Sequence, residues 1–164
     1  MNDHTMTRRS MLVALARSLG AGAALSALLP FTSRADAMAA PTTITVYKDP
    51  SCGCCTKWVA HLRSAGLHPD VHDRADMDAL KNSLGVPSAL RSCHTAVAGR
   101  YVIEGHVPAS DVKRLLTGAP KGILGIAVPD MRAGAPGMEV PGRADRYDVI
   151  AFAADGTTKL FAHH

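Results

Sequence analysis

Cys52, Cys54 and Cys55 fall within four positions, and a fourth cysteine, Cys93, follows far along the chain. As thiolate, cysteine is both a redox nucleophile and a ligand for soft metals, so the cluster points to two chemistries. Cys52 and Cys55 have the two-residue separation of a dithiol switch, with Gly53 and Cys54 between them. A third sulfur and a distant fourth exceed what a switch needs. Converging thiolates carry negative charge that a soft cation relieves, and a sulfur-dominated set suits Cu(I) or Zn(II). Met131 and Met138, in a Pro/Gly-rich loop, tip the choice toward Cu(I) because thioethers favour it over zinc; His94 and His106 are further candidate ligands. Two structural disulfides would also use an even cysteine count. However, adjacent Cys54 and Cys55 pair only in a strained ring, and three crowded cysteines cannot each staple a distant loop.

The elements that must position these sulfurs begin with a β-branched, alternating run at Thr42 to Tyr47, read as a strand. Lys48-Asp49-Pro50-Ser51 is a turn with Ser51 placed to cap the helix that follows. From Cys52 to Ala65, Trp58, Val59 and Leu62 recur at helical spacing and Gly66 stops the helix. Leu67 to His72 is a second strand, parallel to the first, and Met77 to Leu84 a second helix closed by Gly85. Thr95 to Val97 and Tyr101 to Ile103 form an antiparallel hairpin, and Pro108 to Leu116 a helix opened by Pro108 or Ser110. The order βαβ then ββα is that of an α/β thioredoxin-like core. In that topology the segment entering the third strand, Ser92-Cys93-His94-Thr95, meets the N-terminus of the first helix. The exposed amides there favour thiolates. Gly118 to Gly142 is dense in proline and glycine and reads as loop around a short apolar run, Ile123 to Val128. Tyr147 to Phe152 and Thr157 to Phe161 close the chain as a hairpin extending the sheet.

Other residues carry plainer expectations. Trp58 is core packing; His61, His68 and His72 face solvent; His163 and His164 lie at a frayed terminus.

The chain has 164 residues, room for one domain and a removable segment. Residues 1–40 read as a cleaved export signal, with Arg8-Arg9 of the twin-arginine type, an apolar stretch from Met11 to Leu29, and small-residue cleavage sites near Ala37 and Ala39. Residues 41–164 are then the metal-binding domain, exported to a bacterial periplasm with no membrane span after cleavage. The formal net charge is +4 at pH 7, and half of it belongs to the leader, which leaves little for a nucleic-acid-binding reading.

Val46-Tyr47-Lys48-Asp49-Pro50-Ser51-Cys52-Gly53-Cys54-Cys55, Lys57-Trp58-Val59, His61-Leu62, Ser92-Cys93-His94-Thr95, Tyr101 to Pro108 and Pro136-Gly137-Met138-Glu139 resemble the bacterial periplasmic CopG-type proteins, domain-of-unknown-function family 411. The similarity runs from about Thr43 to Ala162. It implies a thioredoxin-like domain associated with copper resistance, holding several copper ions as a sulfur-bridged cluster on Cys52, Cys54, Cys55 and Cys93. It also implies a copper-linked redox function and exchange with other periplasmic copper-handling proteins. Three functions stand at this point: a copper-homeostasis protein, a thiol-disulfide oxidoreductase using Cys52 and Cys55, and a disulfide-stapled binding module.

Overall fold

The computed structural model describes residues 42–164, so the expected export signal lies outside the described residues. The described chain is mixed α/β: one seven-stranded sheet in the order β2-β1-β3-β4-β5-β6-β7, and three α-helices. Strand β1 (Ile44–Lys48) leads through α1 (Gly53–Ser64) to β2 (Pro69–Asp73), which pairs parallel with it. Helix α2 (Met77–Ser83) and a 3-10 turn at Ser88–Leu90 then lead to β3 (His94–Ala98), antiparallel to β1 on its other edge. The hairpin partner β4 (Tyr101–Glu104) and helix α3 (Ala109–Gly118) complete the expected βαβ, ββα order.

The core is built on the alternation of strand side chains. Val102 and Ile103, neighbours in β4, belong to different apolar clusters because successive strand residues point to opposite faces. Ile103 joins Ile44, Val46, Trp58, Val59 and Leu62 with Val112 and Leu115, so α1 and α3 cover one face. Val102 joins Val86, Leu90, Ala127 and Phe152, so the segment after α2 covers the other. Burial of a side chain such as Leu62 or Val112 stabilises the fold by about 1.5–3 kcal/mol. Among the described residues no helix is long and apolar enough to cross a membrane.

Three expectations need correction. Ser51 does not cap α1: its amide and hydroxyl both donate to Asp49 Oδ1, at 2.8 and 2.5 Å, and the N-cap is Cys52. The Gly118 to Gly142 segment is mostly loop as expected, but its apolar run is a strand: Gly125–Ala127 forms β5, parallel to β4 and buried throughout. Nor is the terminus frayed. Strand β6 (Asp148–Phe152) pairs with β7 (Thr158–His163), and beyond them His164 exchanges backbone hydrogen bonds with Tyr147 at 2.9 and 3.1 Å. His164 Nε2 also lies 2.6 Å from Asp111 Oδ2 on α3.

Candidate metal centre

The sulfurs gather where the turn after β1 meets the entry to β3. Cys52, as N-cap, accepts a hydrogen bond on Sγ from the Cys55 amide at 3.3 Å, which fixes the first sulfur over the open end of α1. Helical spacing brings Cys55 back beneath it, with the two Cα atoms 5.4 Å apart and the sulfurs joined as a disulfide. Cys54 and Cys93 are free thiols. Cys54 Sγ lies 3.5 Å from Cys52 Sγ and 3.9 Å from Cys93 Sγ, and all four sulfurs fall within 4.8 Å of one another. Cys55 is buried and the other three are half-buried.

Two imidazoles complete the centre. Cys93 Sγ is 3.1 Å from His106 Nε2 and 3.4 Å from His94 Nδ1, making a second compact group with Cys93 as the shared atom. His106 Nδ1 lies 2.8 Å from the Pro136 carbonyl, which can only accept. Nδ1 therefore carries the proton and Nε2 presents its lone pair to Cys93, the orientation a metal-binding histidine requires. Burial holds His106 below the ordinary imidazole value, opposed by the Pro136 carbonyl and Glu139. His94, fully buried, is pushed well below that value by desolvation first and by His106 second. Both rings are thus neutral near pH 7. His94 Nε2 is the buried side-chain nitrogen without a hydrogen-bond partner among the described residues. Burial, reinforced by the neighbouring Cys54, pushes the Cys93 thiol up to about 12, so metal-free Cys93 keeps its proton. With the Cys52–Cys55 disulfide reduced, four sulfurs and two neutral imidazoles are the donors of a soft, thiophilic metal, and the set fits copper.

Two solved structures, both described as copper resistance protein CopG, in forms 2 and 1, share 41% identity with this chain at a TM-score of 0.72. The match covers 76% of this chain and 99% and 98% of theirs. Residues 90–138 also match the family described as protein of unknown function, DUF411. The chain belongs to this family. None of the curated proteins matches it.

The family motifs are held by contacts that cross the fold. Trp58 is core, as expected, but its ring also stands 4.3 Å from that of His94, and its Nε1 donates to the Val107 carbonyl at 2.8 Å. His61 is half-buried rather than solvent-facing: its Nε2 accepts from the Ala109 amide at 3.0 Å, tying α1 to the start of α3. His68 and His72 are exposed, as expected. Met138 is half-buried in a loop that packs on the first turn of α1, and Met131 is 60% exposed.

Sequence reasoning missed Lys81 and Glu104. Both are buried, with Lys81 Nζ 2.5 Å from Glu104 Oε1 and 2.8 Å from Thr95 Oγ1. Thr95 Oγ1 donates to Glu104 Oε2 at 2.7 Å, and the Ser92 amide donates to Glu104 Oε1 at 2.7 Å. The Glu104 carboxylate thus holds the chain on both sides of Cys93, by the Ser92 backbone amide and the Thr95 hydroxyl. Desolvation raises its carboxyl above the usual range, and Lys81 pulls it back. No local signal marks the pair; its only sequence trace is a lysine on a helix and a glutamate ending a strand.

The loop that carries Met138 depends on Gly137. Its φ is +86°, and a Cβ there would sit 2.8 Å from the Trp58 nitrogen and 2.9 Å from the Cys54 carbonyl oxygen. Both are backbone atoms of α1 that cannot swing aside. Gly137→Ala is therefore expected to lose about 2–3 kcal/mol of stability, from left-handed backbone strain and overpacking. Urea denaturation checks it, and a loss under about 0.5 kcal/mol, the range of ordinary surface substitutions, would show that the loop does not press on the helix.

Proposed function

We propose that this chain is a periplasmic copper-binding protein of copper homeostasis, with a thioredoxin-like domain that holds Cu(I), as cargo, on the thiolates of Cys52, Cys54, Cys55 and Cys93. The observation that carries the reading is the convergence of four sulfurs and two neutral imidazoles at one helix end. The likeness to CopG structures supports copper as the metal. The thioredoxin-like reading is supported by the order β2-β1-β3-β4, with α1 after β1 and α3 after β4. The paired arginines of the leader support export to the periplasm by the twin-arginine route. His94 and His106 are the additional ligands the geometry favours, because each faces Cys93 with a ring nitrogen. Bound copper would supply one-electron redox chemistry on the reduced cysteines; the Cys52–Cys55 disulfide is the oxidised form of the pair, and two electrons and two protons return it to the dithiol that ligates.

A second reading has its own observation. The disulfide between Cys52 and Cys55 sits at a helix N-terminus with Cys52 half-exposed, the setting of a thiol-disulfide oxidoreductase. The two readings separate on thiol reactivity. Metal-free protein is expected to oxidise within the Cys52 to Cys55 stretch. Copper-loaded protein is expected to resist alkylation until a strong chelator or oxidant is added, since metal-held thiolates are poor nucleophiles. Mass mapping after alkylation, with metal analysis of protein prepared without oxygen, reads both. Equal labelling of all four cysteines with and without copper would remove the cluster. A copper-free protein with a fast-exchanging disulfide would establish the oxidoreductase.

A further inference from the structure

Outside the ring of sulfurs, soft donors also meet the surface at a second place among the described residues. A cavity of about 350 Å³ is lined by Arg91, Ser92, Cys93, Asp130 and Met131. Among these is Cys93, the sulfur shared by both donor groups of the centre. Another is Met131, a large apolar side chain left 60% exposed. Exposure of a single methionine is ordinary, but this one is held in place. Ser92 Oγ donates to the Asp130 carbonyl at 2.6 Å, and the Asp130 amide bonds back to the Arg91 carbonyl at 3.4 Å. Asp130 itself sits at φ +63°, a left-handed conformation costing a non-glycine residue about 1–2 kcal/mol. The segment bearing Cys93 thus grips the turn bearing Met131, and the left-handed turn holds this exposed residue against the cavity that Cys93 also lines.

We propose that Met131 is the entry ligand for copper: Cu(I) is captured by its thioether at the surface and handed through the cavity to Cys93. This rests on the copper-binding reading above. A neutral thioether suits the task because it binds Cu(I) while carrying no proton that must first leave, and it binds more weakly than a thiolate, so the ion moves on. In the transfer the copper–thioether bond breaks, a copper–thiolate bond to Cys93 forms, the Cys93 proton goes to water, and copper stays Cu(I). Met131 is then a carrier with no share in the final site.

The test uses Met131→Leu in the full chain, reduced and kept free of oxygen, with Cu(I) supplied as its bicinchoninate complex. Leucine keeps volume and apolarity and removes the sulfur, and an exposed position leaves the melting temperature unchanged. Uptake, followed as loss of the chelate's absorbance, is expected to slow roughly ten-fold, with copper content and affinity at equilibrium as in the wild type. Release to excess chelator must then slow by the same factor. An uptake rate equal to wild type would overturn the proposal. So would a lowered copper content or affinity, which would make Met131 a permanent ligand. Failure of the wild-type protein to take copper at all would instead overturn the copper-binding reading on which the proposal stands.

Discussion

Glu104→Ala is expected to lose about 3–5 kcal/mol of unfolding free energy, a large share of the roughly 5–15 kcal/mol that a domain commonly possesses. The substitution leaves the Lys81 ammonium, 3% exposed, without its carboxylate partner, and it leaves the Ser92 amide without an acceptor. An uncompensated buried charge costs far more than the pair contributes when intact. For the same reason the double variant Lys81→Met, Glu104→Leu should recover most of the loss, since it removes both charges and keeps the volume filled. Denaturant titration of the three proteins measures this. A single variant within about 1 kcal/mol of wild type would show that Lys81 finds water or another acceptor. The site adds a second readout. The double variant restores stability without restoring an acceptor for Ser92, so a stable protein with impaired copper loading would assign Glu104 a positioning role on Cys93.

The network also marks a limit of reading the sequence. Lys81 and Glu104 are 23 positions apart, on a short helix and at a strand end, where each residue type is ordinarily solvated. Their burial follows from α2 folding over the sheet face, a tertiary fact that no local pattern carries. Strand β5 was hidden differently. Glycine and proline punctuate Gly118 to Gly142, and the rule that such residues break strands reads the stretch as mostly loop, with the apolar run Ile123 to Val128 left without an element. At Gly125 the physics runs the other way. A Cβ there would collide with the Val102 carbonyl oxygen and come within 2.6 Å of the Phe152 ring, so glycine is what lets β5 slide between its neighbours. The frayed reading of the C-terminus failed for a related reason. Tyr147 lies outside β6, yet its paired backbone bonds with His164 and a ring stack at 5.2 Å secure the last residue.

The site was more legible than its supports because its chemistry is concentrated in residue types with few other uses. Three cysteines beside a helix start need only the helix register to converge; β1 and α1 were readable from periodicity, and β2 from the βαβ order that they open. The cap is the exception. Serine outranks cysteine as an N-cap, but Asp49 takes both donors of Ser51 and leaves the helix end to Cys52. That exchange places a sulfur where a hydroxyl was expected and draws it into the cluster. Cys93 needed the topology as well: β3 must lie antiparallel beside β1, pairing His94 with Lys48, before the segment leading into it can reach the helix end.

The same dependence on topology makes Cys93→Ser the most informative change at the site. Cys93 is 39 positions from Cys54, yet it belongs to both donor groups, touching Cys54 Sγ at 3.9 Å and His106 Nε2 at 3.1 Å. Its removal takes one sulfur from the four and also separates the imidazoles from the remaining three. Copper stoichiometry should therefore fall at least as severely as in Cys55→Ser, although Cys55 lies inside the local motif. Proton release gives an independent measure. With its thiol pushed up to about 12, Cys93 must give up a proton to bind metal throughout the physiological range, so its contribution to copper affinity weakens as pH falls. Wild-type protein is expected to release about one proton more per chain than Cys93→Ser on loading at constant pH. Metal analysis and pH-stat titration after loading without oxygen read the two quantities on one sample. Full copper loading in Cys93→Ser, with unchanged proton release, would mean that the Cys52 to Cys55 motif is the whole site and that its approach to β3 serves the fold alone.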